Sequence, residues 1–177
     1  RNLVRATRLP RFALALAMYR RRIVAFRRTM RERRPDVVVL AEDNVGHATG
    51  IFTRVAREHG VPVVVVPYTV ADAREPAESF FNEPEHQVDT WRRRRTARRY
   101  PHWQYVHLDR PLLRLPWYDI VAQQWFGIAP RQPWALNSGS ADAILVESTE
   151  RVDYYRIAGL VAEPLLAVGS AFDDTMA

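Results

Sequence analysis

The sequence predicts an α/β protein built on a parallel sheet of about four strands with flanking helices. Three observations lead there. Residues 35–67 read PDVVVLAEDNVGHATGIFTRVAREHGVPVVVVP, which is a strand, a loop, a helix and a second strand. The strand runs are continuously apolar, without alternation, as in parallel strands buried on both faces. The same grammar then returns near the end of the chain, with strands at 141–146 and 165–169 separated by a helix.

Taken in order, residues 1–10 form an entry segment closed by Pro10, and residues 11–33 form one long helix. Phe12, Leu16, Tyr19, Ile23, Phe26 and Met30 recur at spacings of three and four and give that helix an apolar stripe. Arginines fill its other face, and Pro35 ends it. The commoner reading of this pattern is a helix that covers the sheet, with solvated cations near its C-terminus, where the dipole favours them. The sharper reading sets the arginine face against anionic lipid headgroups or nucleic acid.

Residues 36–41 are the first strand. Residues 48–59 are the helix after it, with Ile51, Phe52, Val55 and Ala56 on one face, and Gly60 stops that helix. Residues 63–66 are the second strand. Residues 71–100 are polar and helical, starting at Glu75-Pro76-Ala77-Glu78 and interrupted at Glu83-Pro84-Glu85. The stretch 87–100 holds Trp91 and a run of arginines, and reads either as a solvated helix face or as an interfacial helix.

Residues 101–137 carry four of the five tryptophans, with short helices expected around 112–115 and 118–126. They read either as a local mini-core on the sheet or as an aromatic groove for a sugar or polyprenyl acceptor. After the turn at 137–140 comes the third strand, then a helix capped by Ser148 or Thr149 with Glu150 in its first turn. Gly159 ends that helix, and the fourth strand opens into Ser170.

Composition narrows the chemistry. The chain has 177 residues, enough for one domain with a real core. It has no cysteine, which removes disulfides and thiolate chemistry and fits a reducing compartment. No apolar run approaches the roughly 20 residues of a membrane span, and no signal peptide is evident. All 26 basic residues are arginine. Residues 1–34 hold 12 of them against one acid, a net of +11, and the remaining 14 arginines and 19 acids give −5. The overall positive charge therefore describes the first helix rather than the globular part. The start at Arg1 and the end at Ala177 read as those of a piece of a larger protein.

In open parallel sheets ligands bind beyond the carboxyl ends of the strands. Here those ends carry Glu42, Asp43, Asn44, Gly46 and His47, then Tyr68, Thr69 and Asp72, then Ser148 and Ser170. No Walker or dinucleotide glycine pattern follows the first strand, although GHATG can present backbone N–H groups at a helix N-terminus. Glu42 and Asp43 beside it oppose a bare phosphate and suit sugar hydroxyls or a general base better. His47 reads either as a solvated loop residue or as an acid/base group. The histidines show no metal-ligand spacing. Paired-carboxylate glycosidase chemistry between Glu42 and Asp72 stays open.

The stretch VVVLAEDNVGHATGIFTRVAREHGVPVVVVPYT resembles the second half of the N-terminal domain of GT-B-type glycosyltransferases of surface and capsular polysaccharide synthesis, and the related UDP-N-acetylglucosamine 2-epimerases. The tail ADAILVESTERVDYYRIAGLVAEPLLAVGSAFDD resembles the segment that leads into their hinge. The resemblance covers roughly residues 35–70 and 141–174. Many of these transferases carry Gln-His-Gly at the end of the second strand, where this sequence has Pro67-Tyr68-Thr69.

The resemblance implies a Rossmann-like half of a GT-B two-domain architecture. Residues 1–34 form its basic amphipathic helix, and residues 35–177 form the half-domain with an aromatic-rich insertion at about 71–137. The C-terminal donor domain is absent, so this piece alone should not turn over. The implied activity moves a sugar from a UDP- or GDP-sugar to a cell-surface glycan or lipid-linked acceptor. Asp43 and His47 are then the candidate catalytic residues. Glu42, Asn44, Gly46, Tyr68, Thr69, Asp72, Ser148 and Ser170 are the substrate contacts. No cofactor beyond the nucleotide-sugar and no metal is expected. The implied place is the cytoplasm, peripheral at the inner face of the cell membrane, with an anionic membrane surface as partner rather than nucleic acid. The alternatives are a UDP-sugar 2-epimerase-like enzyme and a non-catalytic Rossmann-like module that binds membrane or nucleic acid through its arginine face.

Overall fold

The computed structural model describes residues 8–67, 73–137, 141–157 and 165–169. Helix α1 (Arg8–Arg33) leads the chain. Its stripe is buried as the spacing predicts: Ala15, Tyr19, Ile23 and Met30 are enclosed, with Phe12, Leu16 and Phe26 packed beside them. Arg34 closes the helix in the left-handed region, its N–H donating to the Met30 carbonyl at 3.0 Å.

Strand β1 (Val38–Leu40), helix α2 (Gly50–Glu58) and strand β2 (Val63–Val65) then form the β-α-β unit. Gly60, at φ +68°, ends α2 in a conformation that suits glycine. Strand β5 (Ala143–Val146), helix α6 (Thr149–Ile157) and strand β6 (Leu165–Ala167) repeat the unit. The four strands pair in parallel in the order β1-β2-β5-β6. The result is an α/β protein with a Rossmann-like four-stranded parallel sheet.

Between β2 and β5 lie helices α3 (Arg74–Phe80) and α4 (Trp91–Arg99), strands β3 (Gln104–His107) and β4 (Arg110–Leu113), and helix α5 (Trp117–Trp125). The helix expected at 112–115 is not one. Arg110–Leu113 is instead the second strand of an antiparallel hairpin in which Tyr105 faces Leu112. The turn places Leu108 and Asp109 both at positive φ, 46° and 59°. Such a two-residue turn usually announces itself with Asn-Gly or Asp-Gly, and Leu-Asp gives no such signal. The insertion has its own small cores. One gathers Trp103, Leu113 and Ile120 with Val45 and Ala97, and another gathers Ala77, Leu112 and Trp134.

The expectation that the strands are buried on both faces is overturned. Val63, Val65, Ile144 and Val146 share one core with Ile51, Val55 and Tyr155. On the opposite face Val39 is 60% exposed, Val66 48%, Leu166 45% and Val168 60%. Each step from β1 to β6 moves in the same direction across the sheet, so crossovers of one hand lay their helices on one side.

Candidate functional site

The parallel order brings the end of β1 and the end of β5 to the same edge of the sheet. At the first, Asn44 organises the loop. Its Oδ1 accepts from the Gly46 N–H at 2.9 Å, and its Nδ2 donates to Glu42 Oε1. A 3₁₀ turn over Val45–His47 follows, with Ala48 at φ 57°. The turn carries His47 outward, its side chain 75% exposed and Nδ1 4.0 Å from Glu42 Oε1. Val45 points the other way, into the insertion core.

Asp43 is enclosed, 2% exposed. Its Oδ1 accepts from the Thr49 hydroxyl. Its backbone N–H donates to Asn137 Oδ1 at 2.8 Å, its carbonyl accepts from the Asn137 N–H at 2.9 Å, and Asn137 Nδ2 donates to the Tyr155 hydroxyl at 3.1 Å. This chain of bonds ties the β1 loop to α6. Asp43 is thus held inside the edge, whereas His47 stands in solvent with the half-buried Glu42 beside it. Ser148 sits at the end of β5 and caps α6, its Oγ accepting from the Arg151 N–H at 3.3 Å. The same hydroxyl holds the Glu150 carboxyl below the usual carboxylate range. Tyr68, Thr69, Asp72 and Ser170 lie outside the described residues.

In GHATG the Gly46, His47 and Ala48 N–H groups are turned into the loop rather than presented to an anion. The N–H groups of Gly46, His47, Ala48, Ile51 and Phe52 all bond within the loop and the first turn of α2. A Cβ at Gly50 would lie 2.0 Å from the Ile128 carbonyl oxygen, so that glycine exists to let the chain after α5 cross the start of α2.

A polar cluster behind the loop escaped the sequence reading. The Tyr19 hydroxyl donates to Asp119 Oδ1 at 3.2 Å, and Gln123 Nε2 donates to the Tyr19 hydroxyl at 3.1 Å and to the Val45 carbonyl at 3.3 Å. Burial raises the Asp119 carboxyl above its ordinary value, and burial next to Asp119 raises the Tyr19 hydroxyl. Tyr19 stands in the stripe of α1 as one more core residue, and Asp119 falls without distinction in the helix expected around 118–126. Neither position alone announces a hydrogen-bonded pair 100 residues apart. Among the described residues no group of three or more His, Asp or Glu could hold a metal ion, and no helix is long and apolar enough to cross a membrane.

No family model, curated protein or solved structure matches this chain. The class that the fold itself defines is a Rossmann-like α/β protein.

Proposed function

We propose that the chain is the acceptor-side domain of a GT-B-type glycosyltransferase that moves a sugar from a UDP- or GDP-sugar to a lipid-linked or cell-surface glycan. The supporting observation is the loop after β1. It presents Glu42 and His47 together at the carboxyl edge of a parallel sheet, where ligands of such sheets bind. His47 is the base for the acceptor hydroxyl, with Glu42 steadying the imidazolium that forms. Asp43, enclosed by Thr49 and Asn137, is a positioning residue for that loop. Removing one positioned base lowers a rate by about 10²–10⁴-fold.

The test uses the complete gene product supplied with UDP- and GDP-sugars and a lipid-linked glycan fraction. Nucleotide release coupled to glycan extension is the expected result, and His47→Ala should lower kcat about a hundredfold or more at an unchanged melting temperature. Wild-type kcat in that variant removes His47 as the base. Interconversion of UDP-sugars without transfer overturns the transferase reading in favour of epimerisation.

A further inference from the structure

Away from the strand ends, α4 and α5 flank an open concavity of about 270 Å³. Arg92, Arg95 and Arg99 line it from α4 at helical spacings of three and four, and Trp117 and Val121 line it from α5. None of its lining residues is acidic. The acids nearest in the chain are engaged elsewhere: Asp89 pairs with Arg93, and Glu85 pairs with Arg11 and accepts from the Tyr118 hydroxyl.

Inside the cleft the Arg92 guanidinium stands 5.1 Å over the Trp117 ring and 5.5 Å over that of Trp91. The Arg99 guanidinium donates to the Tyr100 hydroxyl at 3.1 Å. Arg95 bonds to no described side chain. At the rim, Trp91 is 66% exposed and Trp125, one turn beyond Val121, is 78% exposed.

Three cations without a carboxylate call for an anion, and a wall of indole and valine calls for an apolar chain attached to it. Exposed tryptophans beside arginines whose stems lie on apolar surface are the arrangement found at a bilayer interface. We infer that the α4–α5 cleft takes the phosphate of an anionic membrane lipid, so that this face of the protein lies on the bilayer. The inference stands on the residues of this cleft and does not depend on the sugar-transfer chemistry proposed above. A nucleic acid strand fits less well, because Arg92 already covers the ring faces on which bases would stack.

The test is co-flotation of the whole chain with vesicles, with no sugar nucleotide present. Vesicles of phosphatidylcholine containing phosphatidylglycerol should carry the protein, and phosphatidylcholine alone should not. Arg95→Gln with Arg99→Gln should weaken vesicle binding about 30-fold, given what each arginine contributes near an anionic surface. Arg20→Gln with Arg21→Gln removes the same charge from α1 and should weaken it less than threefold. Trp125→Ala should weaken it as well.

Equal losses in the two arginine pairs overturn the site in favour of undirected charge attraction. Equal flotation with both vesicle types overturns the lipid-phosphate assignment. Protection of the cleft pair's effect by inorganic phosphate alone, without vesicle binding, assigns the site to a free anion. Salt-steep binding of single-stranded RNA that the cleft pair abolishes assigns it to nucleic acid. Loss of vesicle binding leaves glycan extension measurable, and loss of extension leaves vesicle binding measurable, so the two readings fail separately.

Discussion

On one face of the sheet, Val63, Val65, Ile144 and Val146 are closed off by α1, α2 and α6; on the other, Val39, Val66, Leu166 and Val168 stand in solvent. The two rows hold nearly the same residue types. What separates them is the direction in which the chain crosses the sheet, which lays the described crossover helices on one side. Chemical identity therefore says that a strand belongs to a parallel sheet without saying which of its faces has a cover.

The contrast can be broken most sharply in the covered row. Ile144 is fully buried, so Ile144→Ala should lower stability by about 2–5 kcal/mol in denaturant unfolding. A loss below about 1 kcal/mol would mean that this face is packed no better than the other.

A smaller effect sits where the cover is strapped down. Glu58 on α2 accepts from Arg27 on α1 at 2.8 and 2.9 Å and from Arg54 at 3.1 Å. The Arg27 hydrogen bonds, then Arg54, lower the Glu58 carboxyl from 4.5 to about 2. A depressed carboxyl stabilises the fold above its ordinary value and loses that contribution as pH falls through its folded one. Thermal unfolding followed from pH 6 to pH 2 should show a decline that is shallower in Glu58→Gln. Exposed pairs are worth up to about 1 kcal/mol, so the difference will be modest.

The smallest effect belongs to the bare row. Val39→Thr keeps the β-branch and exchanges exposed methyl for hydroxyl, and should move stability by no more than about 0.5 kcal/mol in the same unfolding assay. A loss of 2 kcal/mol or more would show that Val39 has a cover.

Much of the fold was legible. The stripe of α1, the stop at Gly60, the helix over Trp117–Trp125 and the cap at Ser148 follow from spacing and local chemistry, which act over a few residues. The candidate site was legible in part. Its loop lies at the expected strand end, and the exposure of His47 follows from the Asn44 turn. The enclosure of Asp43 was not legible, because it depends on Asn137 and Tyr155, 94 and 112 positions away. The hairpin of β3 and β4 was missed because its turn residues carry no glycine and its leucines fit either a helix or a strand.

By itself the sequence determined the parallel α/β class, the apolar face of α1 and the place of the β1 loop, since each depends on periodicity and on nearby breakers. The tertiary structure alone decided which face of the sheet is covered, why Gly50 must be a glycine, and how the arginines of α4 come to stand over Trp117. Those features depend on elements far apart in the chain meeting in space, and no local pattern encodes such a meeting.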